Sequence, residues 1–587
     1  MNEAIESILR ELRAGNQPDG CWLDKLLRRL SASQPDPAHR LAKKQLLPFY
    51  LAQKADDTAV WQAWAITETE DDAIVALLRA KPRRTASGVA TITVLMKPWP
   101  CASDCLYCPN DVRMPKSYLS DEPACQRAEH NFFDPYLQVA SRLRVLADMG
   151  HNTDKIELIV LGGTFSDYLV EYRTWFVCEL FRALNEAGTA EGEASYAERR
   201  TAYEQVGMSN EPAQLAADVE ALQKRVDAGG LHYNEAIHAC DAYPQLPFQQ
   251  ATMEDILREH RINEEAAHRV VGLVVETRPD VITEAHLEEL RRLGCTKVQV
   301  GLQSLTPAIL EANARGASLP SINRAFELLR IYGFKSHVHF MTNLLGATPA
   351  SDLGDFRMLV EDPRFLPDEV KLYPCALVES ARLTEHYEDG TWQPYGEDAL
   401  VDLLTQCVLA TPAHTRISRM IRDISSTDII AGNKKTNLRQ IVEQRVAESG
   451  VKPKEMRLRE IATADISPEE LRLDEIRYST TNTDEVFLQW VDGQDNLAGF
   501  CRLSLPHGAQ HAMIREVHIY GRVSKLHEAK EGTQHAGLGR ALVQRACDIA
   551  REEGRPTVKV ISAVGTRGYY RSLGFEDGDL YQEKAVR

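Results

Sequence analysis

The spacing of apolar positions changes along the chain and divides it into regions. In residues 1–75, apolar residues recur every three or four positions, as in IESILRELRAG, CWLDKLLRRLSA and WQAWAITET, which predicts helices. From residue 89 on, short apolar runs alternate with helical stretches, which predicts parallel strands joined by helices. The C-terminal third contains longer runs such as EVFLQWVD and LAGFCRLSL, which are typical of antiparallel strands.

The short apolar runs predict an α/β fold whose main domain is a partial (β/α)6 barrel. Functional residues are then expected at the carboxyl ends of the strands. Residues 188–262 interrupt the alternation with helical, mostly exposed sequence, to which no function can be assigned. The predicted strands are residues 89–96, 156–163, 270–277, 297–304, 336–341 and 369–374.

Composition and charge narrow the class of protein. The chain has 587 residues, 44% hydrophobic and 26% charged, as expected of a multidomain globular protein. No stretch reaches the apolar length of a membrane span, and the N-terminus lacks an apolar signal core. Because most of its cysteines are scattered singly, we expect the protein to lie in the reducing cytoplasm. Because it has no apolar span, we expect no membrane partner.

The net charge of −17 by itself argues against a nucleic-acid partner. Two basic stretches, residues 79–116 and 411–440, qualify that argument because they suggest a local anionic substrate. The alternative is that both are ordinary solvated faces, which is the usual role of such stretches.

Cys101, Cys105 and Cys108 form a C-x3-C-x2-C motif directly after the first predicted strand. Three thiolates on one loop can hold three irons of a 4Fe-4S cluster and leave the fourth iron open for an exchangeable ligand. A zinc site would need a fourth ligand, and Cys125 and His130 lie at no familiar spacing. A disulfide cluster would require an oxidising compartment.

A glycine loop opens a long helix in the C-terminal region, within QHAGLGRALVQRACDIAREEG. Its backbone N–H groups and the helix dipole can bind a pyrophosphate. A further strand, TVKVISAV, and the aromatic segment GTRGYYRSLGF follow it. This order predicts acyl-CoA binding, and the alternative is a plain glycine turn.

Taken together, these motifs resemble the catalytic subunit of Elongator, in its stand-alone prokaryotic form. The resemblance covers about residues 75–187 and 262–587. It implies a radical S-adenosylmethionine (SAM) domain joined to a GNAT acetyltransferase-like domain. The motifs that carry it are the cysteine loop, GGTF, ETRPD, QVGLQS, KLYPC, RMIRDI, QHAGLG and GTRGYYRSLGF.

The resemblance also implies roles for individual residues. The 4Fe-4S cluster would be held by Cys101, Cys105 and Cys108. SAM would be contacted by Gly162, Gly163, Thr164, Glu276, Arg278 and Gln303. Acetyl-CoA would be bound by Gln534, His535, Ala536, Gly537, Leu538 and Gly539, with Tyr569 and Tyr570 near the thioester as catalytic residues. With the basic stretches, it suggests tRNA contacts at Arg83, Arg84, Lys116, Arg419 and Arg422.

The expected domains follow from the same reading. They are a helical tRNA-binding region at 1–75, the radical SAM domain at 76–395 with its insertion at 188–262, a basic connecting segment at 396–470, and the GNAT-like domain at 471–587. The family usually carries a C-x-C-x-x-C zinc site in the connecting segment. Here Pro453, Glu455 and Leu458 stand in its place, so no zinc is expected.

The implied reaction joins the methyl carbon of acetyl-CoA to carbon 5 of uridine 34 and gives 5-carboxymethyluridine. The expected partners are the tRNA anticodon stem-loop, acetyl-CoA and an electron donor, and a homodimer remains open. The main alternative is a protein lysine acetyltransferase with a structural iron–sulfur domain, for which Glu516 and His518 are possible bases. A third hypothesis is that the protein is a tRNA-binding scaffold with inactive sites.

Overall fold

The computed structural model describes residues 1–32, 41–79, 88–461, 468–520 and 537–586. It divides into two compact units. One comprises Met1–Ala90 with Ser141–Lys155, and the other comprises Thr91–Ala140 with Ile156–Arg587.

The first unit contains a cluster of amphipathic helices, as the sequence predicts. Apolar residues from each of them form one core, which includes Ile8, Leu27 and Tyr50. The prediction of one continuous helix through WQAWAITET is wrong. Ala65 adopts a left-handed conformation (φ +46°) and ends the first helix, and Thr67 caps the next. The helices are α1 Asn2–Arg13, α2 Gly20–Ser31, α3 Lys43–Ala55, α4 Ala59–Trp64 and α5 Glu68–Leu78.

The second unit begins with a curled parallel sheet, a half-barrel. All six predicted strands are confirmed. Within the described residues a seventh strand extends the sheet, and it was not predicted because only Ile417 of its four residues is buried. In spatial order the strands are β1 Ala90–Leu95, β2 Lys155–Leu161, β3 Arg269–Thr277, β4 Lys297–Gln303, β5 Lys335–Thr342, β6 Glu369–Pro374 and β8 Arg416–Arg419. The short strands β7 Leu377–Val378 and β9 Ile429–Ala431 pair separately.

Helices connect these strands, and the predicted insertion is helical and largely exposed. In the helix Pro212–Asp227 of the insertion, the buried residues are Leu215 and Val219, which lie one turn apart on one face. The helices up to the insertion are α6 Pro123–His130, α7 Pro135–Asp148 and α8 Val170–Asn185; those of the insertion are α9 Ala190–Gln205, α10 Pro212–Asp227, α11 Tyr233–His238 and α12 Met253–Asn263. The later helices are α13 Glu284–Arg292, α14 Pro307–Ala312, α15 Leu319–Ile331, α16 Pro349–Glu361, α17 Leu383–Glu388, α18 Glu397–Ala410, α19 Leu438–Glu448 and α20 Met456–Arg459.

The C-terminal region of this unit is a second, mainly antiparallel sheet packed on a long helix. Its strands, in spatial order, are β10 Arg472–Ser479, β11 Thr483–Val491, β12 Leu497–Pro506, β13 His511–Ile519, β14 Thr557–Val560, β16 Gln582–Ala585 and β15 Glu576–Asp577. The helices are α21 Leu538–Glu552 and α22 Arg567–Ser572. β13 pairs with β14 only as far as Ile514, and its remaining five residues run on without that neighbour.

Buried charges join this sheet to the half-barrel. Asp368, at the start of β6, is fully buried and accepts two hydrogen bonds from Arg515 of β13, at 2.7 and 2.8 Å. Glu485 of β11 accepts another from Arg515 at 2.8 Å. Burial alone would raise the pKa of Asp368, but Arg515, Arg502 and Arg330 hold it well below its ordinary value. The two sheets therefore share one charged core.

In the part of the chain that the structure describes, no helix has both the length and the apolar character needed to cross a membrane.

Candidate active site

The predicted cysteine loop forms one wall of a cleft at the carboxyl ends of the half-barrel strands. The loop runs from the end of β1 to the start of α6. The cleft has a cavity volume of about 170 Å³, and its walls come from segments far apart in sequence. They include Cys101, Cys105, Cys108, Lys116, Tyr118, Gly163, Thr164, Glu276, Arg278, Gln303, Arg315, His339, Lys371, Arg419 and Arg422.

Guanidinium groups lie beside two of the cysteines. Arg278 Nη1 is 3.9 Å from Cys101 Sγ, and Arg315 Nη1 is 3.8 Å from Cys105 Sγ. Hydrogen bonding from Cys108 lowers the pKa of Cys105 well below its ordinary value, and Arg315 adds to that effect. The Cys105 side chain is therefore favoured as a thiolate, the form in which cysteine binds metal, whereas hydrogen bonding with Cys105 and burial raise the pKa of Cys108 well above its ordinary value.

The donor set fits an iron–sulfur cluster better than a single ion. Among the described residues, no three His, Cys, Asp or Glu side chains converge closely enough to hold one metal ion. A cubane cluster needs no such convergence because each thiolate binds a different iron. Three cysteines that line one cleft, with cationic donors behind them, satisfy that requirement.

The GGT segment after β2 approaches the cysteine loop closely. Gly162 and Gly163 have φ values of +150° and +82°. A Cβ on Gly162 would lie 2.8 Å from Met96 Cβ, so this position requires glycine. Thr164 Oγ1 is 4.0 Å from Cys101 Sγ and also receives a long hydrogen bond from Arg278, at 3.4 Å.

Polar side chains from the next strands face the same cleft. Glu276 accepts a 2.7 Å hydrogen bond from the Tyr118 hydroxyl. Gln303 is strained, with φ +77°, and its buried Oε1 has no hydrogen-bond partner among the described residues. Lys371 donates to Gln299 Oε1 at 2.5 Å, and burial lowers its pKa to about 7.

Three of the residues predicted to contact RNA line this cleft. Lys116 is only 4% exposed and pairs with Asp104 at 3.2 Å, so it lies inside the cleft instead of on an outer surface. Arg422 donates to Ser117 O at 2.5 Å and to Glu122 at 3.0 Å. Arg419 pairs with Asp423 at 2.5 Å. The two remaining predicted contacts, Arg83 and Arg84, lie outside the described residues.

The glycine loop ends where α21 begins. Gly537 is the N-cap of this 15-residue helix, and Leu538 and Gly539 form its first turn. Its N-terminus can therefore offer backbone N–H groups to an anion. The other predicted contacts of this loop, Gln534, His535 and Ala536, lie outside the described residues.

The two tyrosines predicted near the thioester occupy different environments. The Tyr569 hydroxyl lies 3.1 Å from where a Cβ on Gly539 would be, so it faces the start of α21. Tyr570 is 7% exposed and packs in the apolar core, with its ring centroid 5.6 Å from that of Phe575. Tyr570 therefore has the contacts of a core residue, and the proposed roles of Tyr569 and Tyr570 at the acetyl group stay predictions.

The possible bases of the acetyltransferase alternative have structural contacts. Glu516 pairs with Lys335 at 2.5 Å and with Arg502 at 3.0 Å. Burial would raise the pKa of Glu516, but these cations lower it overall, so it is a poor proton acceptor. His518 packs against Tyr520 at a tilt, with ring centroids 4.4 Å apart and ring planes 55° apart, and burial lowers its pKa.

Family models match three consecutive regions of the chain. The radical SAM superfamily matches residues 199–357, the radical SAM C-terminal domain 367–448, and the acetyltransferase (GNAT) family 456–575. The cysteine loop precedes the first match, so the ligand assignment depends on its motif and its geometry.

Whole-chain relatives decide the family. The tRNA uridine(34) acetyltransferase of Dehalococcoides mccartyi is 35% identical over 511 residues, 84% of this chain and 97% of the relative. The chain belongs to the family of tRNA uridine(34) acetyltransferases and Elongator complex protein 3. The human Elongator complex protein 3 is 30% identical over 537 residues, 87% of this chain and 86% of the relative. The solved Elongator protein 3 of Methanocaldococcus infernus, with an N-terminal deletion, matches with a TM-score of 0.65 at 28% identity and covers 85% of this chain and 99% of its own.

Family membership confirms the resemblance and the fold, a radical SAM half-barrel with a GNAT-like domain.

The segment in which the motif comparison predicts a missing zinc site is centred on Glu455. Glu455 is buried, and its carboxylate accepts hydrogen bonds from the main-chain N–H groups of Ile417, Arg457 and Leu458, at 2.6 to 3.1 Å. A carboxylate therefore organises this segment. That this segment binds no zinc stays a prediction.

Sequence reasoning missed several cleft residues, among them Arg315 and Lys371. Arg315 lies on an irregular segment after α14, and Lys371 lies within the predicted strand β6. Lys371 belongs to the KLYPC motif, and a lysine inside an apolar strand is a signal that could have marked it. Arg315 gives no such local signal because its partners, Cys105 and Gly301, are distant in sequence.

Proposed function

We propose that this enzyme modifies the wobble uridine of tRNA. The methyl carbon of acetyl-CoA is joined to carbon 5 of uridine 34, and hydrolysis of the thioester then releases coenzyme A and leaves 5-carboxymethyluridine. The observation that carries the proposal is the cleft that gathers Cys101, Cys105 and Cys108 with two guanidinium groups in a chain that also has a GNAT-like domain. Relatives named tRNA uridine(34) acetyltransferase support the choice of substrate.

The three cysteines would hold a 4Fe-4S cluster beside SAM. When bound, this pair supplies a radical that can take hydrogen from a strong C–H bond. Arg278 and Arg315 would hold the cysteine thiolates in position by hydrogen bonding and charge.

The remaining SAM contacts would come from strand ends. Gly162 and Gly163 would let the main chain approach the methionine end of the ligand. Glu276, fixed by Tyr118, offers a carboxylate to a cationic group. Gln303 offers a buried carbonyl oxygen that has no other partner among the described residues.

The uridine would enter the same cleft. A single-stranded loop base can leave its stack and be held in a pocket, as nucleobase-modifying enzymes require. Arg419, Arg422 and Lys116 would contribute positive charge toward its phosphates, and the walls would exclude water from the reacting carbon. Arg83 and Arg84 stay proposed phosphate contacts from the sequence.

Acetyl-CoA would bind at the start of α21, with its pyrophosphate on the N–H groups of residues 537–539. Tyr569 would lie at the acyl end.

The proposed domains are a tRNA-binding region at 1–75, a radical SAM domain at 76–395, a connecting segment at 396–470 and a GNAT-like domain at 471–587.

The test is a reaction of anaerobically reconstituted protein with SAM, a reductant, unmodified tRNA and acetyl-CoA labelled with ¹³C in the methyl group. Mass spectrometry of the digested nucleosides should show carboxymethylated uridine that contains the label. Labelled acetyl-lysine on proteins, with unmodified tRNA, would support the acetyltransferase alternative instead. Omission of SAM should abolish the nucleoside product and serves as the control.

A further inference from the structure

The helical insertion, residues 188–262, makes several side-chain hydrogen bonds to the main chain of the cysteine loop. That loop runs for 27 residues, from Met96 to Glu122, between β1 and α6 without a regular helix or strand. Much of it is buried, and a buried irregular segment needs partners for its main-chain N–H and C=O groups. Side chains of the insertion supply several of those partners.

Asn234, on α11, pairs with the main chain of a cysteine. Its Oδ1 accepts a hydrogen bond from Cys101 N at 3.0 Å, and its Nδ2 donates to Cys101 O at 2.8 Å. Both polar groups of the Cys101 main chain are thereby fixed by one side chain. The side-chain Sγ of Cys101 remains directed toward Thr164 and Arg278.

Further contacts continue along the loop. Gln223 accepts from Val112 N at 2.8 Å and donates to Asn110 O at 3.1 Å. The hydroxyl groups of Tyr233 and Tyr243 donate to Met114 O at 2.6 Å and to Arg113 O at 2.8 Å. Val112 is fully buried in an apolar cluster with Val219 and Ala236 of the insertion.

We propose that the insertion is a brace that holds the cysteine loop in cluster-binding geometry, with Asn234 as the positioning residue for Cys101. The inference rests on the proposed role of the three cysteines as cluster ligands. Residues that orient metal ligands from behind commonly change metal affinity by about 10- to 100-fold when replaced. The insertion would then stabilise the cofactor without touching any substrate.

The test compares Asn234→Ala with Gln214→Ala. Gln214 is a matched amide of the same insertion, but it is exposed and bonds only within α10, to Asp218. In reconstituted full-length protein, Asn234→Ala should release iron to a chelator about tenfold faster and alter the electron paramagnetic resonance spectrum of the reduced cluster. Gln214→Ala should match wild type, and the thermal unfolding temperature of both variants should stay close to wild type.

Wild-type iron release and an unchanged spectrum in Asn234→Ala would overturn the inference, whatever the modification activity. If Asn234→Ala proves insoluble, the double variant Gln223→Ala/Tyr243→Phe, which removes three hydrogen bonds farther along the loop, is judged by the same criterion. An inactive wild type that retains its iron would reject the proposed function and leave this inference intact.

Discussion

The cysteine cleft and the proposed acetyl-CoA site at the start of α21 present two ways of building a ligand site. In the cleft, the chemistry comes from side chains that several distant segments bring together, such as Arg278, Arg315 and Glu276. At the start of α21, it comes from main-chain N–H groups of one short segment packed over an apolar core. The first kind of site should be sensitive to the loss of single functional groups, and the second to added bulk.

The largest expected effect is in the cleft. Cys105→Ser should abolish cluster assembly and SAM cleavage because serine is a poor iron ligand, while acetyl-CoA binding stays largely intact. Iron analysis and a SAM cleavage assay measure the first result, and calorimetry the second. Cys240→Ser, a cysteine of the insertion outside the motif, is the control and should retain full iron. Equal iron in both variants would refute the ligand assignment.

The tyrosine pair separates packing from ligand contact in the second site. Tyr570→Ala should lower the free energy of unfolding by about 3–5 kcal/mol because it leaves a cavity in the core around Phe575. Tyr569→Phe should leave stability near wild type and reduce only acetyl-CoA turnover. Denaturant unfolding and turnover assays measure the two effects. A stable Tyr570→Ala with impaired turnover would support contact of Tyr570 with the acetyl group.

Bulk at the glycine loop should have a moderate effect. Gly539→Val should raise the Kd for acetyl-CoA about tenfold, or about 1.4 kcal/mol, since the new side chain crowds the Tyr569 hydroxyl and the main-chain approach of the ligand. Gly568→Val is the control because a Cβ there meets nothing within 4 Å. Unchanged acetyl-CoA affinity in the first variant would place the ligand elsewhere.

The smallest effect is expected between the two sites. Glu455→Gln should cost about 1 kcal/mol of stability, since the carboxamide oxygen cannot serve all three main-chain N–H groups equally well. Denaturant unfolding of the variant and the wild type measures this difference.

Elemental analysis of wild-type protein should find no stoichiometric zinc. One zinc per chain that resists a chelator would show that other ligands compensate for the missing cysteines.

Sequence patterns predicted those parts of the fold that carry a local hydrophobic signal. Each of the six predicted half-barrel strands carries a local run or alternation of apolar residues, and all six were found. β8 and the edge strand β10 were missed because charged residues such as Arg416 and Arg472 dominate them. A strand at the end of a sheet needs little apolar surface, so its position is decided by its neighbour.

The residues of the candidate site also differ in how far the sequence alone could reveal them. Its cysteines and glycines could be recognised because their spacing within one segment carries the chemistry. Arg315 and Asn234 could not, since each acts on a residue more than 100 positions away. Such partners become visible only when the fold brings the segments together.

The buried ion network around Asp368 limits how this enzyme can be divided. A GNAT-like fragment expressed alone would carry Arg515 and Glu485 without Asp368, and the radical SAM fragment would carry Asp368 without Arg515 and Arg502. A buried charge stripped of its partner costs several kcal/mol, which is a large part of the stability of most domains. Separate expression of the halves should therefore yield poorly folded fragments, so each half is best studied by inactivating the other within the full-length chain.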